Sequence, residues 1–378
     1  MASTALKQIA VYGGGRWART LVAVLRQVLP EDSEIVWVTK NCFTEVLSSL
    51  NLNPVSNLRL VSEWDLAGSS TDAVIVATSP TSHFELVRKA VKLRLPTLCE
   101  KPIASSSSQL KDLLSVSEAG QCLVGINLEF LFASYLHDFA ERIRPVSVRS
   151  IHLDWLDPWS EERDGEIKYG EFYSDIVSDQ LPHCWSVLAT IRPDSSRLFL
   201  TDILYSPECV ELQGYFGSSP VYLRLSRRAA MRVRRATVTD DHGIDTVLDF
   251  SIEPGSIISS AQEIVNTWSD KRPLACSLNS FVDVVRHRDL RFRWPLELKN
   301  CFDAVESSLR AGDMLKAVQD KQIGNLLLDK PLDLANSENV NLIVDRFLPE
   351  FAVQGRRFSA HTFCQQKAFA SAWLSTVR

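Results

Sequence analysis

Apolar and polar positions change rhythm once along this chain, near residue 125. Before that point, short apolar runs alternate with stretches of helical period. Lys7–Tyr12 enters a set of glycines and reads as a buried strand. Arg16–Leu29 carries Trp17, Leu21, Val24, Leu25 and Val28 at helical spacing and is stopped by Pro30. Glu34–Thr39 and Leu58–Val61 read as strands. Asp72–Thr78 has an apolar interior, as expected where both faces of a strand are covered. Ser82–Leu93 predicts an amphipathic helix, Thr97–Cys99 a brief strand, Ser107–Ala119 a helix and Cys122–Gly125 another strand. Strands alternating with helices predict a parallel sheet of right-handed βαβ units.

After residue 125 the strand-like stretches lengthen: Val146–Leu156, Arg197–Phe216, Val221–Arg235 and Thr237–Ile252. Turn signals at Gly217–Pro220 and Asp240–Gly243 separate some of them, which predicts an antiparallel sheet. Helical patterns interrupt at Ser174–Thr190, Leu278–Arg286 and Leu298–Gln319, and a last amphipathic helix is predicted at Gln365–Val377. The predicted class is an α/β Rossmann domain over residues 1–125, then an α+β domain over residues 126–378 with a large, open-faced, mostly antiparallel sheet. Such a sheet leaves apolar surface uncovered in a monomer, so a homo-oligomer is expected.

A length of 378 residues suits two domains, and 45% apolar with 23% charged residues is the mix of a soluble globular protein. The formal net charge of −5 argues against nucleic acid as a partner. The eight cysteines form no CxxC pair, so reduced thiols and no metal site are expected. The first residues lack the pattern of a signal peptide, and no apolar run is long enough to span a membrane. The expected compartment is the cytoplasm.

The first strand runs into Gly13-Gly14-Gly15-Arg16-Trp17-Ala18 and then a helix, which is GxGxxG/A in the strand–turn–helix context of a dinucleotide site. Gly13 suits the tight turn. Gly15, having no Cβ, lets a pyrophosphate approach, and Ala18 permits close helix–strand packing. The helix N-terminus offers amide N–H groups to the phosphates. NAD binders end the second strand with an acid that meets the ribose 2′-hydroxyl. Here Thr39 and Lys40 stand there, a hydroxyl and a cation that suit a 2′-phosphate, with Arg16 a candidate second cation. NADP is therefore favoured over NAD. The fourth strand ends in Thr78-Ser79-Pro80, with His83 in the following helix, and the fifth in Glu100-Lys101-Pro102. The carboxyl ends of such strands line the ligand crevice. A lysine there can meet a substrate oxygen beside the nicotinamide and stabilise developing negative charge.

The glycine turn, Thr78-Ser79-Pro80 with His83, and Glu100-Lys101-Pro102 together resemble the glucose–fructose oxidoreductase/inositol dehydrogenase/rhizopine-catabolism (Gfo/Idh/MocA) family over residues 7–320. The resemblance implies a Rossmann domain joined to an open-faced sheet and hydride transfer with NAD or NADP. It implies a sugar, polyol or derivative as substrate. It also implies an Asp-x-x-x-His helix, here Asp179 and His183: His183 to exchange the proton, Asp179 to orient it or bind substrate, and Lys101 to complete the group. This chain departs from the pattern at Glu171–Ser178, at Ser186, at Pro182 (which predicts a kink or a late helix start) and at Asn127–Phe130. These departures leave open a C=N or carbonyl reductase of a biosynthetic intermediate, or a catalytically silent dinucleotide-binding sensor or scaffold. Trp155, Trp159, Tyr169 and Tyr173 line a pocket, pack as core or form an oligomer contact. The arginines between Arg224 and Arg235 read as a solvated face or inter-subunit patch, and His152, His242 and His287 as structural. No GxSxG elbow is present, which disfavours a hydrolase.

Overall fold

In the computed structural model, residues 6–40, 57–66, 70–163, 166–169, 174–260, 262–268, 271–287 and 294–329 are described. The chain forms two compact units. The first takes the described residues up to Pro145 together with Leu181–Arg197 and Val265–Leu309. The second takes Val146–Gln180, Leu198–Ile264 and the described residues from Arg310 onward.

The first unit is built on six strands: β1 (Gln8–Tyr12), β2 (Glu34–Val38), β3 (Leu58–Val61), β4 (Ala73–Val76), β5 (Thr97–Cys99) and β6 (Val124–Ile126). Their order is β3-β2-β1-β4-β5-β6, and every pair is parallel. The direction of winding reverses between β1 and β4, where open α/β sheets place their ligand. The helices between these strands are α1 (Arg16–Val28), α2 (Pro80–Lys92) and α3 (Ser107–Ala119). All of β4 is buried, and α1 turns Ala18, Leu21, Val22 and Leu25 inward. Helix α2 starts two residues earlier than the periodicity predicts. Pro80 suits the first helical position, where a missing N–H costs nothing.

The sheet's outer edge is covered. Leu296 O accepts from Ile126 N (3.0 Å), and Leu298 N donates to Val124 O (2.8 Å). Gly125 lies so close that an added Cβ would be 2.1 Å from the ring of Trp294. Helix α4 (Ser134–Ile143), an amphipathic segment absent from the expected elements, follows the sixth strand and buries Tyr135, Leu136 and Phe139.

The second unit holds β7 (Val148–Leu156), the two-stranded pair β8 (Ser160–Arg163) and β9 (Glu166–Tyr169), and β10 (Leu198–Tyr205), β11 (Val210–Phe216), β12 (Ser219–Ser226), β13 (Val233–Asp240), β14 (Asp245–Asp249), β15 (Ser256–Ser259) and β16 (Gln262–Val265). The main sheet has the order β10-β11-β12-β7-β13-β14-β15-β16; from β10 to β15 its pairs are antiparallel except one parallel contact, β7 with β12. The long runs of the sequence are thus split. Arg197–Phe216 contains two strands joined through Ser206–Cys209, and Val221–Arg235 covers most of β12 and the start of β13. Gly217 (φ 60°) and Gly243 (φ 79°) take the left-handed backbone in the two turns that the sequence marks.

A 3-10 helix (Glu129–Phe132) and three further α-helices, α5 (Ile176–Ile191), α6 (Pro273–Arg286) and α7 (Phe302–Asp329), lie among the described residues. Helix α5 runs through Pro182, so the expected late start is incorrect. Its first turn is fixed from outside: Asp175 Oδ1 accepts from Val177 N and Ser178 N, and Arg227 donates to the carbonyls of Ser174 and Asp175. Among the described residues no helix is long and apolar enough to cross a membrane. Tyr173 and the helix predicted at Gln365–Val377 lie outside the described residues.

Candidate functional site

Ladder hydrogen bonds continue past the strand ends and set the backbone of each candidate residue. Gly13 N donates to Val38 O (3.1 Å), Thr39 N to Val61 O (2.9 Å), Ala77 N to Tyr12 O (2.7 Å), Glu100 N to Val76 O (2.8 Å) and Asn127 N to Cys99 O (2.8 Å). Gly13, Thr39, Thr78, Glu100, Lys101 and Asn127 therefore gather at the carboxyl edge of one parallel sheet.

The glycines at that edge have different reasons. Gly13 has φ 144°, and an added Cβ would sit 2.2 Å from Ala77 O and 3.1 Å from the Cβ of Ala18. The fold itself requires glycine there. Gly15, the N-cap of α1, has ordinary extended backbone (φ −78°, ψ 174°), and an added Cβ would meet nothing within 4 Å. Neither packing nor backbone conformation accounts for glycine at 15. No side chain caps α1, so its first amides face the space beside Gly15. That combination fits a diphosphate. Trp37 braces the turn by donating its buried indole N–H to Gly13 O at 2.6 Å. Arg16 is half-buried, Thr39 is buried and Lys40 is exposed.

Ser79 stands at the N-cap position of α2 without a side-chain capping bond, and Thr78 Oγ1 shares a 2.7 Å hydrogen bond with Ser82 Oγ. His83 is buried. Its Nδ1 lies 2.8 Å from Pro102 O and its Nε2 3.0 Å from Thr78 O. Both ring nitrogens are turned to protein carbonyls, so the ring fastens the turn after β4 to the loop after β5. The Lys101–Pro102 peptide is cis. Glu100 accepts from Asn127 Nδ2 at 2.6 Å and from the side chain of Trp17. Burial pushes its carboxyl above the usual range, while Asn127, Trp17 and the charge of Lys101 pull it down.

His183 belongs to the same unit as Lys101. Its ring meets Phe130 edge-on, with centroids 5.3 Å apart at 84°. The four residues Asn127–Phe130 thus touch Glu100 at one end and His183 at the other. Asp179 stands four residues earlier on α5, and its Oδ2 pairs with Arg227 at 3.0 Å. Arg227 is 3% exposed. Arg234 is similarly buried: it donates to Asp157 Oδ1 (2.6 Å) and Leu156 O (2.9 Å), and its guanidinium lies 4.0 Å from the ring centroid of Trp155. These two arginines correct the reading of Arg224–Arg235 as a wholly solvated or inter-subunit face. Each is drawn inward by a carboxylate and backbone carbonyls. Trp155 is core, against Phe250. In the first unit, Trp37 and Ser277 have roles that no sequence motif marks.

A Rossmann sheet with a glycine turn, a lysine at its carboxyl edge and a second mixed sheet defines the class of two-part dinucleotide-binding oxidoreductases. Residues 7–128 match the oxidoreductase family GFO_IDH_MocA, NAD-binding Rossmann fold. The match spans the Rossmann domain, about a third of the chain. No curated protein matches it in sequence. Similar solved structures include a Gfo/Idh/MocA family oxidoreductase from Vibrio cholerae (16% identity, TM-score 0.61, covering 84% of this chain and 99% of that one). UDP-N-acetylglucosamine 3-dehydrogenase GnnA from Acidithiobacillus ferrooxidans aligns at 14% identity and TM-score 0.63, over 82% and 98%. KijD10, a 3-ketoreductase from Actinomadura kijaniata in complex with TDP-benzene and NADP, aligns at 12% and 0.63, over 82% and 96%.

Proposed function

We propose that this chain is an NADP(H)-dependent oxidoreductase acting on a carbonyl or hydroxyl carbon of a sugar, polyol or derivative. The observation that carries the reading is the open space at Gly15 beside uncapped helix amides, at the strand edge that also carries Lys101. The bound nicotinamide would supply or accept the hydride. Arg16, Trp17 and Ala18 form the first turn of the helix that faces the diphosphate, and Thr78, Ser79 and Pro80 form the neighbouring rim. Thr39 and Lys40 face the adenosine ribose, and a cation there favours NADP over NAD. Lys101 stabilises negative charge on the substrate oxygen, and His183 moves its proton. Asp179, held by Arg227, anchors the helix that carries His183. The names of the dehydrogenase and ketoreductase neighbours agree with the substrate class.

Lys101→Ala and His183→Ala are expected to retain NADPH binding and lose turnover by about 100-fold or more on whichever sugar derivative the wild type reduces. Stopped absorbance at the nicotinamide band reads turnover, and fluorescence titration reads binding. A sensor would keep its output in both variants.

We further propose that a second copy of the chain covers the open sheet. Phe199 pairs with Tyr215 across β10–β11, and Tyr222 pairs with Gln213 and His152. Paired and i, i+2 residues share a face, so Phe199, Tyr215, Tyr222 and His152 stand on one side, where all three of the large aromatic residues are exposed. Tyr222→Glu is expected to lower the mass measured by light scattering to that of a monomer. A wild-type monomer at micromolar concentration would refute the proposal. The described cysteines Cys99, Cys122, Cys184, Cys209, Cys276 and Cys301 are free thiols, which accords with a reducing compartment such as the cytoplasm.

A further inference from the structure

Four elements of the first unit converge on one buried carboxylate. Glu100, the first residue after β5, is 8% exposed; Asn127, the first after β6, is 3% exposed; Ser277 on α6 is fully buried. Ser277 Oγ donates to Asn127 Oδ1 at 2.6 Å, and Asn127 Nδ2 donates to Glu100 Oε1 at 2.6 Å. Trp17, in the first turn of α1, donates to the same carboxylate. Because the hydroxyl of Ser277 occupies the amide oxygen, the amide nitrogen is aimed at Glu100. A carboxylate that accepts two such donors beside a cation is arranged for its ionised form. The ionisable groups that act on it are Lys101, whose positive charge favours the anion, and the buried Cys99 thiol, which burial and Glu100 keep protonated.

We propose that Asn127, aimed by Ser277, is a positioning residue for the lysine loop: with Trp17 it holds the Glu100 carboxylate ionised and fixed, tying the glycine turn, Lys101 and α6 together through one charge. This rests on the reading of Lys101 as the group that meets substrate oxygen. A tie of this kind places the cofactor turn and the lysine in register before either ligand arrives, and protonation of Glu100 loosens it. Burial raises the carboxyl of Glu100 while its donors lower it, so losing one donor moves its titration to higher pH.

The test follows the indole N–H resonance of Trp17 in the 15N-labelled full chain between pH 8 and 5, assigned by its disappearance in Trp17→Phe. In the wild type the resonance should titrate once, with a midpoint above the ordinary glutamate range. Asn127→Leu should raise that midpoint by about one pH unit, because a hydrogen bond to the charged form is lost. Lys101→Met should raise it as well, Ser277→Ala should raise it less, and Glu100→Gln should abolish the titration. A Trp17 resonance that does not titrate, or a midpoint unmoved in Asn127→Leu, would overturn the proposal. If Asn127→Leu fails to fold, Ser277→Ala decides, and an unmoved midpoint there overturns it too. NADPH titration of the same samples separates the two readings. Wild-type protein that shows the Trp17 titration but ignores NADPH defeats the proposed function and leaves the tie standing. Protein that binds NADPH with an unmoved Asn127→Leu midpoint defeats the tie alone.

Discussion

Gly13→Ala should cost the N-terminal domain about 4 kcal/mol of stability. Two penalties add. At φ 144° a side chain enters backbone territory that only glycine occupies comfortably, at about 1–3 kcal/mol. The new methyl would also lie 2.2 Å from Ala77 O. That oxygen cannot retreat freely, because it belongs to the residue whose N–H is bonded to Tyr12 O at the end of β1. Overpacking of this kind costs about 1–3 kcal/mol more. A typical domain has only about 5–15 kcal/mol in hand. Urea denaturation followed by far-ultraviolet circular dichroism measures the loss. A variant within about 1 kcal/mol of wild type would mean that the turn has another conformation.

Arg227→Ala should cost the second unit about 3 kcal/mol. Removing one partner of a buried pair leaves an uncompensated charge, which costs about 3–5 kcal/mol in a dry interior. Asp179 is 17% exposed, so water recovers part of that. The guanidinium also holds the carbonyls of Ser174 and Asp175, and their loss frays the first turn of α5. The double variant Arg227→Met with Asp179→Leu should recover most of the stability, because no charge is then left behind. Chemical denaturation of both variants distinguishes the outcomes. Equal loss in the single and double variants would show that the contacts to the carbonyls, and not the ion pair, dominate.

Elements built on local periodicity were legible before any coordinates. Leu58–Val61, Thr97–Cys99 and Ser107–Ala119 have the bounds that the sequence predicts, and α1 differs by one residue. Their signal comes from neighbours in the chain. Strand β8 (Ser-Glu-Glu-Arg) has no apolar position, and β9 (Glu-Ile-Lys-Tyr) alternates over four residues only, too short a run to mark a strand by itself. The periodicity marks α5 over Ser174–Thr190, but Pro182 argues for a kink or a late start; the ties from Arg227 to Ser174, Asp175 and Asp179 at its N-terminal end come from a residue forty-five positions past that proline, which no local rule anticipates.

The site divides in the same way. Gly13, Gly15 and Lys101 stand in a motif. Asn127 acquires its place only because β5 and β6 are neighbours, and its partner Ser277 comes from a helix 150 residues away. Arg234 could have been found: it shares strand parity with Ala236 and Val238, which are buried, so an inward guanidinium was implied once β13 was recognised. Arg227 lies just past the end of β12, where alternation gives no guidance.

The central claim is that the space beside Gly15 receives the diphosphate of a nicotinamide cofactor. Isothermal calorimetry of the full chain, wild type beside Gly15→Val, tests it most directly. The account predicts that the wild type binds NADPH more tightly than NADH. Gly15→Val should stay folded, since a Cβ at that position meets no protein atom within 4 Å, yet lose NADPH affinity by about tenfold or more, equivalent to about 1.4 kcal/mol. Folded wild-type protein that binds neither nucleotide, or a valine variant that binds NADPH as well as the wild type does, would contradict it.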